Sequence, residues 1–200
     1  EQLDSTIIVL ALPEMAADFG RTPIDLSLGI TAYLLTLAAV IPASGWFADR
    51  FGARNVFCTA ILVFTVASVL CGFSNSLGEF VAARVLQGIG GAMMSPVGRI
   101  VVLNSTERKD LLRAINFLTV PGLIGPVVGP PLGGFITTFA SWRWIFFINV
   151  PICLLGVALS IYFVHNRRAA EPRPFDSAGF ILNGAAVACL MYGHDLVGAD

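Results

Sequence analysis

The chain has 200 residues, of which 56% are hydrophobic and only 12% charged; an average soluble domain carries about 25% charged residues. With a mean hydropathy of +0.81, this composition points to a membrane protein. A formal net charge of −1 with no basic block excludes the phosphate-neutralising surface that a nucleic-acid binder needs.

Transmembrane helices need about 20 mostly apolar residues. A short apolar run over 3–13 reads as the tail of a first helix. Full segments follow at roughly 26–48, 53–74, 78–102, 115–138 and 142–164, and a nearly complete one at 175–197. The N-terminal run lacks the basic region that opens a secretory signal. The chain begins at Glu1, and its last apolar run reaches almost to Asp200, so it is expected to belong to something longer. The Pro-rich polar stretch HNRRAAEPRPFD, starting at His165, sets the expected boundaries. These are a six-helix transmembrane half over 1–164, a cytoplasmic linker over 165–174, and a seventh transmembrane helix over 175–200.

Basic residues set the orientation. The even-numbered connections hold Arg50, Arg54, Arg108, Lys109, Arg113, Arg167, Arg168 and Arg173, whereas the odd-numbered ones hold Arg21 and Arg143. Positive charge stays cytoplasmic, so the N-terminus and the even connections are expected in the cytoplasm. Asn104-Ser-Thr then lies near a cytoplasmic loop and is discounted as a glycosylation acceptor.

Charges within the membrane are costly and usually functional. Two are clear. Asp4 precedes Pro13 by nine residues, roughly 13 Å at helical rise, and Arg84 lies roughly 10 Å into the fourth helix. Similar depth on different helices suggests one shared polar cavity, with a helix-end Asp and a carbonyl-capping Arg as the plainer readings. Gln87, Gly88 and Gly91 share the helix face of Arg84 at i+3, i+4 and i+7. Glu79 suits the positive end of that helix. GIGG is not a phosphate loop, because no strand precedes it and no GK[ST] follows. Arg99 and Arg143 are expected to snorkel, and Trp142 and Trp144 to join an aromatic belt. His194 and Asp195 mark a helix exit or, alternatively, a proton-handling pair. The four cysteines are far apart and apolar in context. No metal spacing and no nucleophile–base set is found, so neither an enzyme nor a metal or other cofactor is expected.

GWFADRFGAR (45–54) packs Gly45, Asp49, Arg50, Gly52 and Arg54 into a very short turn. Gly52 permits the turn, and Asp49 can accept from Arg50, Arg54 or a neighbouring helix end. A charged latch of this kind can be made in one conformation and broken in another; the alternative is a plain topology-setting turn. GLIGPVVGPPLGG (122–134) looks like a loop, yet its flanks are apolar, and lipid demands that backbone groups be satisfied internally. It is therefore expected to be helical. Gly125, Gly129 and Gly133 then form one small-residue face for close helix contact, and Pro126, Pro130 and Pro131 bend the helix.

Four motifs and the stretch after the last of them resemble the major facilitator superfamily, in particular its drug:proton antiporter branch with fourteen helices. LDSTIIVLALP (3–13) resembles that branch's first-helix signature. GWFADRFGARNVF (45–57) resembles the superfamily loop motif, with Phe47 and Ala53 in place of the usual leucine and basic residue. ARVLQGIGGAMMSP (83–96) resembles the fourth-helix motif, and GPVVGPPLGGFI (125–136), with Gly134 inside it, the antiporter motif of the fifth helix. SWRWIFFINVP (141–151) resembles the stretch that follows. The resemblance implies an all-α membrane fold, a six-helix N-terminal half plus the first linker helix, facing a C-terminal half of the same transporter. It implies that Asp4 handles proton or substrate, that Arg84 with Gln87 takes part in proton coupling, and that Asp49 and Arg54 form a cytoplasmic gate. The expected partners are a small-molecule substrate, protons and the lipid bilayer, in the cell membrane. The expected function is proton-coupled export of drugs or other apolar or cationic compounds by alternating access. The alternatives are an exporter of one specific metabolite, or a transport-inactive receptor or scaffold.

Overall fold

The computed structural model describes the backbone of residues 2–166, 168 and 174–197, and their side chains except those of 2–5, 108, 118, 121, 188 and 190–197. Nine α-helices appear among the described residues and no strand: α1 Gln2–Phe19, α2 Pro23–Val40, α3 Ser44–Phe51, α4 Ala53–Phe73, α5 Leu77–Ser105, α6 Leu111–Phe139, α7 Trp144–Phe147, α8 Asn149–Phe163 and α9 Ser177–Val197. Among the described residues five stretches are long and apolar enough to cross a membrane: Pro23–Phe51, Ala53–Phe73, Leu77–Ser105, Leu111–Phe139 and Trp144–Phe163.

Local chemistry places the ends. Thr22 caps α2 in a full capping box with Asp25, and Pro23 occupies the first turn, where its missing N–H costs nothing. Ser76 caps α5 by accepting from the Glu79 amide at 3.3 Å, and Glu79 accepts from the Asn75 amide at 2.9 Å. Pro42 and Pro151 each lack a donor. The second apolar segment accordingly breaks into α2 and α3 at a 3₁₀ turn over Ile41–Ala43, and the sixth is divided into α7 and α8 just before Pro151. One expectation is corrected. The first helix does not end at Pro13 but runs on to Phe19, because a single proline removes one bond without stopping a helix whose next turns are packed: Met15 and Ala16 are buried. The backbone of Asp4 is then roughly 22 Å from the helix end, not 13 Å, so the helix ends do not put Asp4 and Arg84 at equal depth.

α4 packs between α5 and α8, α5 against α2, and α1 against α6. Alternating direction gives the bundle two distinct ends. Asp18 at the end of α1 meets Ser74 and Arg143, from the third and fifth connections, at one end. Phe51, Arg54, Val164 and Asn166, flanking the second and sixth connections, meet at the other. The core lies in three clusters. One joins α1 and α5 to Trp142, Ile145 and Phe146; a second ties Ala48 and Val56 to Val97 and Val101; a third gathers Tyr33, Ile61, Phe64 and Cys153. Much of α6 stays uncovered, with Leu112, Phe117, Val127 and Phe139 exposed. In a membrane chain such a face meets lipid or further helices rather than water.

Candidate transport site

The most unusual side chain is Arg84, whose guanidinium is completely buried in the middle of the bundle. Arginine keeps its charge and offers five donors in a planar fork, and taking it out of water costs several kcal/mol. Neighbouring helices supply the compensation. Its Nε donates to the Gly29 carbonyl of α2 at 3.5 Å, a terminal nitrogen donates to Gln87 Oε1 one turn on, and the guanidinium carbon sits 4.1 Å from the centre of the Tyr33 ring, a cation–π stack. Gln87 passes the linkage on, since its Nε2 donates to Ser68 Oγ of α4 at 2.8 Å. One buried cation thus ties three helices through polar groups.

The glycines after Arg84 explain how α2 comes so close. A Cβ at Gly88 would lie 2.8 Å from Thr36 Cβ and 2.9 Å from the Tyr33 carbonyl, and one at Gly91 would lie 3.0 Å from the Tyr33 hydroxyl. These two positions form the socket that slides the Tyr33 ring against Arg84. Gly90 serves the other side: its Cβ would stand 2.7 Å from the Phe64 amide nitrogen and 2.8 Å from the Ala60 carbonyl. Asp4 lies in α1, but its side chain is outside the described residues, as are those of His194 and Asp195.

At the loop end, α3 turns into α4 through Gly52, which adopts φ +92°, a conformation open to glycine and strained for other residues. The turn is stapled by the chain that leaves α8. Asn166 donates to the Phe51 carbonyl at 3.5 Å and accepts from the Asn55 amide at 3.4 Å, and Arg54 donates to the Val164 carbonyl at 3.3 Å. Asn166 fills the space where a Gly52 side chain would go. Arg50 lies over Trp46, 5.6 Å from the ring centre. Asp49 is exposed and makes no ion pair among the described residues; it lines a hollow of about 260 Å³ with Trp46, Phe175 and Phe180. The structure therefore brings Arg54 and Gly52 to the α8 terminus and leaves Asp49 on the surface. Gly45 has open space around it.

GLIGPVVGPPLGG is helical throughout, inside α6. Gly125, Gly129 and Gly133 are all buried, while Pro126, Pro130 and Pro131 face outward. Gly129 and Gly133 meet α1: their Cβ atoms would approach Thr6 Cβ at 3.1 Å and Ile7 Cγ2 at 2.8 Å. Gly134 has nothing within 4 Å and does not share the seam.

A further cluster sits at the opposite end of the bundle. Asp18 Oδ2 accepts from Trp142 Nε1 and from Arg143, each at 2.8 Å, and Arg143 also donates to the Ser74 carbonyl at 3.4 Å. Both donors hold the Asp18 carboxyl below its ordinary range, the Trp142 bond most of all. Two expectations are corrected here. Trp142 is not in an interfacial belt but 2% exposed, whereas Trp144 at 58% does lie outside. Arg143 does not simply snorkel, because the Asp18 carboxylate at the end of α1 engages it. The sequence signal for this pairing was weak, since 124 residues separate Trp142 from Asp18. Tyr33 and Ser68 were missed for a similar reason: neither is unusual in an apolar helix.

The chain is 47% identical over 195 residues to "Putative multidrug resistance protein MdtD" of Cronobacter sakazakii. It is 46% identical to the protein of the same name from Serratia proteamaculans and 44% to that from Citrobacter koseri. Each match covers 98% of this chain and 41% of the relative, so the chain spans about two fifths of the length of these proteins. Residues 1–193 match the Major Facilitator Superfamily; with its antiparallel membrane-length helices and the buried Arg84 centre, the chain belongs to that family of membrane transporters.

Proposed function

We propose that the protein containing this chain is a proton-coupled exporter of drug-like apolar or cationic compounds, working by alternating access from the inner face of the cell membrane with the N-terminus in the cytoplasm. The observation that carries the reading is Arg84. A permanently charged side chain is held fully buried at a three-helix junction, and charges so placed in membrane proteins usually serve transport. The name shared by the relatives supports drugs as the substrate class. In this reading Arg84 is a fixed positive charge of the transport pathway, and Asp4, at a different depth on α1, is the carboxylate that takes up the proton. Proton binding at Asp4 and cation binding then exclude each other, which is the condition for exchange. The turn at Asp49, Gly52 and Arg54 serves as the cytoplasmic gate, and the Gly125–Gly129–Gly133 seam as a surface on which α6 can move against α1.

Dye efflux by the full-length protein in inverted vesicles tests the reading. Efflux is expected to collapse on addition of a protonophore and in Asp4→Asn. Normal transport by Asp4→Asn rules out coupling through this residue, and efflux indifferent to the protonophore rules out proton coupling altogether.

A further inference from the structure

A groove of about 470 Å³ runs between α4 and α5 at the loop end of the bundle, lined by Phe47, Phe51, Val56, Ala60, Val63, Ile89 and Met93. It lies away from the Arg84 centre. Its α4 residues Asn55, Thr59 and Val63 lead into the exposed stripe Leu62, Val66, Leu70 and Phe73, which in a membrane-spanning helix is a lipid-facing stripe. From Asn55 to Val63 is roughly 12 Å along the helix, the depth of the upper part of an acyl chain. The mouth is polar, formed by Asn55 and Arg168, and among the described residues no carboxylate lines the groove. Arg168 stands there for a structural reason: Asn166, two residues before it, is stapled to Phe51 and Asn55.

We propose that this groove is a binding site for an anionic glycerophospholipid of the cytoplasmic leaflet, with one acyl chain against Val63 and Ile89 and the phosphate at Arg168 and Asn55. The apolar wall needs an apolar occupant, and the Arg168 cation at the mouth favours a negative headgroup. The side of the membrane rests on the orientation proposed above; the groove and its charge do not.

Native mass spectrometry of the full-length protein, offered equal amounts of phosphatidylglycerol and phosphatidylcholine, tests the assignment. Wild type is expected to retain phosphatidylglycerol about fivefold over phosphatidylcholine, the preference one arginine near anionic headgroups supplies. Arg168→Gln, an exposed position, is expected to keep a lipid but lose the preference. Val63→Trp is expected to retain less of both lipids, and should it misfold, the Arg168→Gln comparison still decides. Equal retention by wild type, or an unchanged ratio in Arg168→Gln, overturns the site. A spin label at Thr59→Cys adds an independent reading. Relaxation by doxyl-labelled lipid supports lipid occupancy; crosslinking to a helix of the other half, with no relaxation, shows that protein covers the groove and overturns it.

Discussion

Arg84 shows how much one side chain constrains its surroundings. The Gly29 carbonyl and Gln87 Oε1, both acceptors of its bonds, lie in directions that a planar fork serves and a single ammonium does not. Arg84→Lys keeps the charge, yet it loses at least one charge-assisted bond, worth about 1.5–3 kcal/mol. If that geometry matters to the transport cycle, dye efflux by Arg84→Lys falls about tenfold or more while the amount of folded protein in the membrane stays near wild type; unchanged efflux would reduce Arg84 to a bulk charge. The glycines give a sharper contrast. At Gly90 an added methyl meets the α4 backbone, which cannot move aside, so Gly90→Ala should destabilise by about 1–3 kcal/mol. At Gly134 the methyl meets nothing, and alanine suits a helix better than glycine, so Gly134→Ala should be neutral or mildly stabilising. Thermal unfolding in detergent compares the two, and equal melting temperatures would show that the close α4–α5 approach is not maintained.

Helices and their junctions were unequally legible. The apolar runs were plain, because a membrane span needs a long stretch without charge and few soluble features mimic that. Helical structure in GLIGPVVGPPLGG followed from the solvent, since lipid leaves an unpaired backbone nowhere to go. Arg84 and Gln87 stood out as polar residues in an apolar run. Breaks such as Pro42, and the continuation of α1 through Pro13, were not legible, because packing rather than the proline decides whether the helix resumes. Nor was the Asp18–Trp142–Arg143 cluster, which depends on two connections far apart in sequence meeting at one end. That cluster carries a pH prediction. The folded-state pKa of Asp18 is depressed, so its contribution is present above the unfolded carboxylate value, about 4, and fades as pH falls through the lower folded value. The pair is partly exposed, which limits it to roughly 0.2–1 kcal/mol. Asp18→Asn should therefore melt slightly lower than wild type at neutral pH, with the difference closing under acid. A gap that is the same at every pH would mean that the loss is one of packing, not charge.

At the scale of the whole molecule, charge distribution and architecture can be set against each other. The count of arginine and lysine sorts the connections into basic even ones and sparse odd ones. The fold independently gathers Asp18, Ser74 and Arg143 at one end and Arg54, Val164 and Asn166 at the other. The two groupings coincide, although the first used only charge and the second only contacts. They leave one choice, which end faces the cytoplasm, and the orientation proposed above, from the positive charge, puts the Arg54 end there. Single cysteines at Arg21 and His165, both exposed and on opposite ends, decide it. They are best placed in a background with Cys58 and Cys189 replaced, since Cys71 and Cys153 are buried. A membrane-impermeant maleimide on intact cells should label Arg21→Cys and leave His165→Cys untouched until the membrane is opened. The reverse pattern would invert the transporter and, with it, the direction of the proton–substrate exchange proposed for the Arg84 centre.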